Sequence, residues 1–108
     1  MPGAAYTREE FGDQVHTHAD VDLTSVRRAA FLSARRYGAN PHDAEDLASL
    51  VVLEAVERLA PDSRRVLPLR CRNVDRPFCV LLWARNMARA HTAHLRTRSK
   101  QELLVLDR

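Results

Sequence analysis

The sequence predicts an all-α protein, a compact helical domain of about four helices with a long basic loop before the last helix. Its 108 residues include 15 alanines and only three glycines, and β-branched residues are few, a composition that favours helices over strands. Apolar residues recur at spacings of three and four, the period of an amphipathic helix. One domain is expected over residues 1–98, and residues 99–108 are a tail or the start of a linker.

The first two helices are predicted from their capping residues. Thr7 is followed three residues later by a glutamate, which is capping-box spacing, so a first helix is expected over about residues 8–16. A second helix is expected over residues 23–37, where apolar side chains fall on one face. Either Asp22 or Thr24 caps its start, and a glycine follows its end.

The third and fourth helices each begin near a proline, which is tolerated in the first turn. Asn40 is the expected cap of the third helix, which should run to Leu59 because another proline follows two residues later. Asp75 is the expected cap of the fourth helix, which should run to about Arg98. The apolar cluster at residues 103–106 either extends this helix or docks on a partner.

Charge divides the chain into two halves of opposite sign. Residues 1–63 carry 6 arginines against 11 acids, a balance of −5, whereas residues 64–98 carry 9 arginines against one acid, a balance of +8. Arginine makes planar, bidentate contacts with phosphate. The asymmetry therefore indicates two partners of opposite charge.

Two leucines lie among carboxylates on the third helix, on the side opposite its broad apolar face. At 100° per residue, six side chains fall within a sector of about 100°. We call this sector the acidic leucine face, and it consists of Asp43, Asp46, Leu50, Leu53, Glu54 and Glu57. It is expected either to bind a basic, apolar surface of a partner or to be covered by the N-terminal helix.

A row of basic residues is predicted on the fourth helix, because residues spaced four, three and four apart share one face. This arginine stripe consists of Arg85, Arg89, Thr92 and Arg96. Like charges at these spacings repel, so an anionic partner such as nucleic acid would stabilise them. Arg98 and the arginines of the preceding loop enlarge the patch; the loop arginines are Arg64, Arg65, Arg70, Arg72 and Arg76. A solvated face, or one paired with acids of the first half, is the alternative.

Catalysis, metal binding and cofactor binding are not expected. Cys71 and Cys79 lack zinc-finger spacing, and His91 with His94 is more simply explained by packing. No glycine-rich phosphate loop or nucleophile motif is present. With two cysteines, no secretory signal and no membrane-spanning stretch, a cytoplasmic binding protein is predicted.

The third helix carries the sequence Asp43-Ala44-Glu45-Asp46-Leu47-Ala48, and Tyr37-Gly38-Ala39-Asn40-Pro41 precedes it. This stretch resembles the signature helix of region 2 in bacterial sigma-70 family factors, and the resemblance is greatest to the extracytoplasmic-function group. An Arg-Arg-Tyr-Gly stretch before the signature and an aromatic-led last helix with a basic end agree with it. The resemblance covers most of the chain.

The resemblance implies a role in transcription initiation without covalent chemistry. It implies that the acidic leucine face binds the clamp helices of the β′ subunit of RNA polymerase core. It also implies that the arginine stripe and the basic loop hold the opened minus-ten strand of promoter DNA. The alternative is a protein-interaction module that sequesters or completes another sigma factor or transcription regulator.

The sequence departs from the family pattern in both helices. The usual Gln-Glu and aromatic positions of the signature hold Ser49, Leu50 and Val52, and two registers of the last helix around Trp83 stay open. A complete factor also has a second domain that reads the minus-thirty-five element. We therefore expect the chain to be a fragment, a stand-alone region 2 or a sigma-like regulator. An anti-sigma protein or a separate minus-thirty-five-reading subunit is a further expected partner.

Overall fold

The described residues form four helices, as the composition and apolar spacing predict. The computed structural model describes residues 5–106, with side chains described as far as residue 98. The helices are α1 (Arg8–Phe11), α2 (Leu23–Arg36), α3 (Pro41–Leu59) and α4 (Val80–Leu106). The described residues form no strand, only isolated antiparallel bridges between loop segments. The predicted all-α fold class is therefore confirmed.

The first helix is much shorter than predicted. The Thr7 side chain caps α1 by accepting a hydrogen bond from the Glu10 N–H, as expected. Gly12 then ends the helix at a φ of 58°, in the left-handed region that favours glycine. The chain beyond it runs along the basic loop, where the His16 N–H donates to the Leu67 carbonyl at 2.8 Å. The predicted extension to residue 16 is wrong because these residues pair with the loop instead.

The predicted caps of the two central helices are confirmed. Asp22 caps α2 by accepting from the Thr24 N–H, and Asn40 caps α3 by accepting from the Asp43 N–H at 2.8 Å. Gly38 lies between the two helices at a φ of 105°, and a Cβ there would come within 3.2 Å of the Arg96 guanidinium. The tight turn thus brings the end of α2 against α4.

The fourth helix begins later than predicted. Asp75 forms an ion pair with Arg70 within the loop and does not cap a helix. Pro77 forms an isolated bridge with Arg70, and the Phe78 N–H donates to the Leu69 carbonyl at 2.9 Å, so the chain is still extended there. Helix α4 then continues past Arg98 to Leu106, although the side chains of the apolar cluster at 103–106 lie outside the described ones.

The core lies between α2, α3 and α4 and includes the middle of the basic loop. Small and branched side chains of all three helices are buried, together with Trp83 of α4. Val66 and Leu67 of the loop are fully buried, and Pro68 is also among the fully buried side chains. The basic loop is thus anchored to the core at its centre, and its arginines are presented from a fixed backbone. No helix of the described chain has the length and apolarity that crossing a bilayer requires.

Candidate functional site

The two leucines of the acidic leucine face are uncovered. Leu50 is 52% exposed and Leu53 is 58% exposed, so α1 does not pack over them as the alternative expectation required. The Asp46 carboxylate is 70% exposed beside them, and Glu57 is exposed one helical turn beyond Leu53. An apolar pair with a charged rim resembles the anchor of a protein interface.

Three acids of this face have partners within the chain, and Asp46 has the loosest contact, 3.7 Å from the exposed His42 ring. Asp43 accepts a hydrogen bond from the Asn40 side chain at 3.2 Å, at the start of the helix. Glu54 is only 25% exposed and forms an ion pair with Arg58 at 3.0 Å. Because Arg58 is buried against the Trp83 ring, it needs a nearby anion. Asp46 and Glu57 are therefore the acids most open to a partner.

The loop arginines divide into paired and open groups. Arg70 forms its ion pair with Asp75, and Arg65 lies 3.8 Å from Glu54. Arg64 and Arg76 are exposed. The basic loop therefore offers fewer open cations than its composition predicts.

Arg72 is held by the N-terminal segment. Its guanidinium donates to both carboxylate oxygens of Glu10, at 2.6 and 2.7 Å, and lies 4.9 Å from the Tyr6 ring centroid. The hydrogen bonds from Arg72 lower the pKa of Glu10 below its ordinary value. No sequence pattern indicates this pair, since the two residues are 62 positions apart.

Substitution of Glu10 by glutamine is expected to weaken the contact between residue 10 and Arg72 and to free the Arg72 guanidinium. The neutral amide removes the charge attraction and one of the two acceptors. We expect faster hydrogen exchange at the Val66 amide, which donates to the Tyr6 carbonyl at 2.9 Å. The predicted binding of single-stranded DNA should tighten, with the slope of log K against log salt steeper by up to about 0.7, because Glu10 no longer competes with phosphate for Arg72. Unchanged exchange and unchanged DNA affinity would contradict this competition.

The ion pair between Glu10 and Arg72 should weaken in acid. A carboxyl group whose pKa is lowered by folding stabilises the folded state at pH values above its ordinary pKa, and this contribution is lost as the pH falls through the lowered value. For Glu10 the ordinary value is 4.5, so the loss begins below that pH. In the wild-type chain the protection of the Val66 amide, the factor by which its exchange is slower than that of an unprotected amide at the same pH, should therefore fall in acid. The Glu10→Gln variant should show no such acid-dependent loss of protection.

The structure corrects the arginine stripe at Thr92. Arg85, Arg89 and Arg96 are exposed, but Thr92 is 1% exposed and donates its hydroxyl to the Ala88 carbonyl at 2.7 Å. It lies one helical turn after the buried Ala88, on the side of α4 that packs against the rest of the domain. Thr92 is therefore excluded from the exposed stripe, which consists of three arginines.

Two of the three stripe arginines contact the end of α2. The Arg89 guanidinium lies 4.9 Å from the Tyr37 ring centroid, and Arg96 donates to the Tyr37 carbonyl at 3.2 Å. These contacts restrict the two side chains but leave them exposed. Arg98, which follows shortly after Arg96 on α4, is also exposed.

An open pocket of about 620 Å³ lies where the N-terminal segment, the basic loop and α4 meet. Its aromatic walls come from Tyr6, Phe78 and Trp83, and Arg72 and Arg76 stand beside them. Tyr6 and Phe78 are in edge-to-face contact, with ring centroids 5.1 Å apart. Aromatic faces beside guanidinium groups are suited to an unstacked nucleobase and its phosphate. Sequence reasoning missed Tyr6, because no spacing pattern links it to the loop.

Metal ligation finds no support within the described part of the chain, where no group of three or more histidine, cysteine, aspartate or glutamate side chains is placed to hold an ion. Cys71 and Cys79 are free thiols, and the Cys71 thiol donates to the Pro77 carbonyl.

Comparison of the chain with protein-family models, with curated proteins and with solved structures found no match.

Proposed function

We propose that this protein is a sigma-like transcription factor domain that binds RNA polymerase core through α3 and the opened promoter strand through α4 and the basic loop. The observation that carries the proposal is the pair of uncovered leucines, Leu50 and Leu53, on the acidic side of α3. They coincide with the residues that the sigma-70 region 2 resemblance assigns to contact with the β′ clamp helices. Exposed leucines within a carboxylate rim suit a basic, apolar helical partner.

The DNA part of the proposal rests on the charge and the aromatic pocket. Arg85, Arg89 and Arg96 are aligned along one side of α4, where they can follow a phosphate backbone. The pocket beside Phe78 offers ring faces on which an extruded base can stack. Binding of this kind stabilises a melted strand over a duplex, because the bases of a duplex are already paired and stacked. The step is capture of the strand and requires no covalent chemistry.

The experiment that tests the polymerase contact is gel filtration of the full chain with RNA polymerase core. We expect the chain to co-elute with core. If it elutes alone at its own mass of 12.3 kDa, the polymerase proposal is wrong. The alternative, a module that sequesters or completes another transcription regulator, would then be tested with candidate partners, since the exposed leucines suit it equally.

Reversal of one charge on the arginine stripe is expected to weaken binding of single-stranded DNA. Arg85→Glu replaces attraction of a phosphate by repulsion, and we expect about a tenfold loss of affinity, equivalent to about 1.4 kcal/mol. The matched control is Arg27→Glu on α2, which makes the same change of charge at a side chain 48% exposed beside Glu45. Fluorescence anisotropy of a labelled strand measures both. Equal losses would indicate a general charge effect and would contradict a specific stripe.

A further inference from the structure

A second exposed apolar surface lies in a groove between α2 and α4. Leu32 of α2 and Tyr37, which directly follows that helix, line one side of the groove. Leu81 and Leu82 of α4 line the other, and the four exposed fractions lie between 38% and 54%. The two helices are held together there by the buried Ser33, whose hydroxyl donates to the Arg85 carbonyl at 2.8 Å. The groove is therefore a formed feature of the helix pair.

The rim of the groove is basic. Arg28 and Arg36 of α2 face Arg85 and Arg89 of α4 across it, and all four are exposed. Aspartate and glutamate do not occur among the described residues that line it. An apolar floor with a positive rim matches an amphipathic helix that carries acids beside leucines.

Such a helix face is present on the same protein. Seven large apolar side chains of the described chain are exposed; four line the groove, and two more are Leu50 and Leu53 of the acidic leucine face. The two surfaces share no residue, since α3 contributes nothing to the lining of the groove. Both are uncovered in one copy of the chain. One surface of a copy can therefore meet the other surface of a second copy.

We propose that the acidic leucine face of one copy docks in the basic groove of a second copy. The contact joins two different surfaces, so it is heterologous, and it leaves one groove and one face free at the ends of a dimer. A copy whose α3 face is docked cannot use that face for polymerase. Self-association thus competes with the polymerase contact as the protein concentration rises. It also competes with the proposed strand binding, because Arg85 and Arg89 belong both to the rim of the groove and to the arginine stripe.

The composition of the groove favours a protein helix over nucleic acid as its occupant. Single strands bind on open aromatic rings, whereas three of the four exposed apolar residues of the floor are leucines. Tyr37 is the single aromatic residue among the described residues that line the groove, whereas three line the pocket beside Phe78. Bases would therefore find few ring faces to stack on.

Sedimentation equilibrium over a range of concentrations tests this proposal. At low salt the wild-type mass should rise from 12.3 kDa towards twice that value or beyond, and it should fall again at high salt, which screens the charged rim. The groove variant Arg28→Glu/Arg36→Glu should stay monomeric. The control Arg27→Glu/Arg35→Glu makes the same charge change on the same helix, at exposed arginines outside the groove, and should associate like wild type. A wild-type mass of 12.3 kDa at every concentration would overturn the proposal.

Mixing of two defective variants tests the head-to-tail geometry. The face variant Leu50→Asp/Leu53→Asp keeps its groove, and the groove variant keeps its face, so each alone should be monomeric. Together they can form one intact contact, and we expect dimers of twice 12.3 kDa and nothing larger. A mixture that remains monomeric would contradict the proposal.

Two further readouts separate this proposal from the polymerase contact and from DNA binding. The groove variant keeps the acidic leucine face, so its binding to polymerase core should equal or exceed that of wild type. If the groove variant instead loses affinity for a labelled single strand while the wild-type chain is monomeric, the groove binds nucleic acid and the proposed self-contact is wrong.

Discussion

Replacement of Leu67 by alanine is expected to lower the free energy of unfolding by about 2–5 kcal/mol, the range for leucine-to-alanine changes in protein cores. Leu67 is 0% exposed although it lies in the basic loop. Its backbone carbonyl also accepts the His16 N–H, so the buried side chain fixes a point of the loop to which the N-terminal segment is bonded. For a small domain with a total stability of about 5–15 kcal/mol, this loss is large.

Urea unfolding followed by circular dichroism measures this effect as a lower midpoint. The matched control is Leu53→Ala, at a leucine 58% exposed, where we expect a change within about 0.5 kcal/mol. Similar small changes for both variants would mean that the loop is not part of the core.

Substitution of Leu50 and Leu53 by aspartate is expected to reduce the affinity for RNA polymerase core by at least about 100-fold. Each leucine is proposed as an anchor of the interface, and loss of such an anchor costs about 2 kcal/mol or more. The aspartates also add negative charge and desolvation cost at the apolar centre of the contact. Because both side chains are more than half exposed in the free chain, its helix content should not change.

Leu32→Asp is the matched control for this pair. Leu32 is 54% exposed, about as much as Leu50, but it lies on α2 in the groove and outside the acidic leucine face. Its substitution should leave polymerase affinity within a few-fold of wild type. If the Leu50→Asp/Leu53→Asp variant still binds polymerase, or if Leu32→Asp loses polymerase binding to the same extent, the contact lies on another surface.

The sequence predicted the two central helices well because their ends depend on neighbouring residues. Asn40 and the proline after it define the start of α3 by local hydrogen bonding and backbone geometry. The exposed leucines of α3 were also predictable, since an amphipathic helix of 19 residues has a well-defined core side.

The predictions from sequence are wrong where tertiary contacts outweigh the local preference of the chain for a helix. Gly12 ended α1 because residues 14–16 pair with the loop, and Pro77 stayed outside α4 because the loop pairs with it. Helical angle alone places Thr92 on the exposed stripe. Thr92 lies at the edge of that stripe, next to the side of α4 that is buried.

The pairings of the charged residues were also beyond sequence reasoning. Arg72 is paired with Glu10 across 62 positions, and Glu54 is drawn towards Arg58 because that arginine is buried against Trp83. Helical geometry predicts that Glu54 and Arg58 are neighbours, but only the packed structure reveals that the pair faces inward. A count of the charged residues in the sequence therefore overestimates the number of charged side chains that are open to a partner.

Photocrosslinking from position 50 tests the central claim most directly. A photoreactive phenylalanine derivative replaces Leu50 in the full chain, which is irradiated with RNA polymerase core, and mass spectrometry identifies the crosslinked subunit. The same group at position 32 is the control, since Leu32 has similar exposure on another surface. We expect crosslinks to the β′ subunit from position 50 and none to that site from position 32. No crosslink from position 50, or the same crosslinks from both positions, would contradict the account.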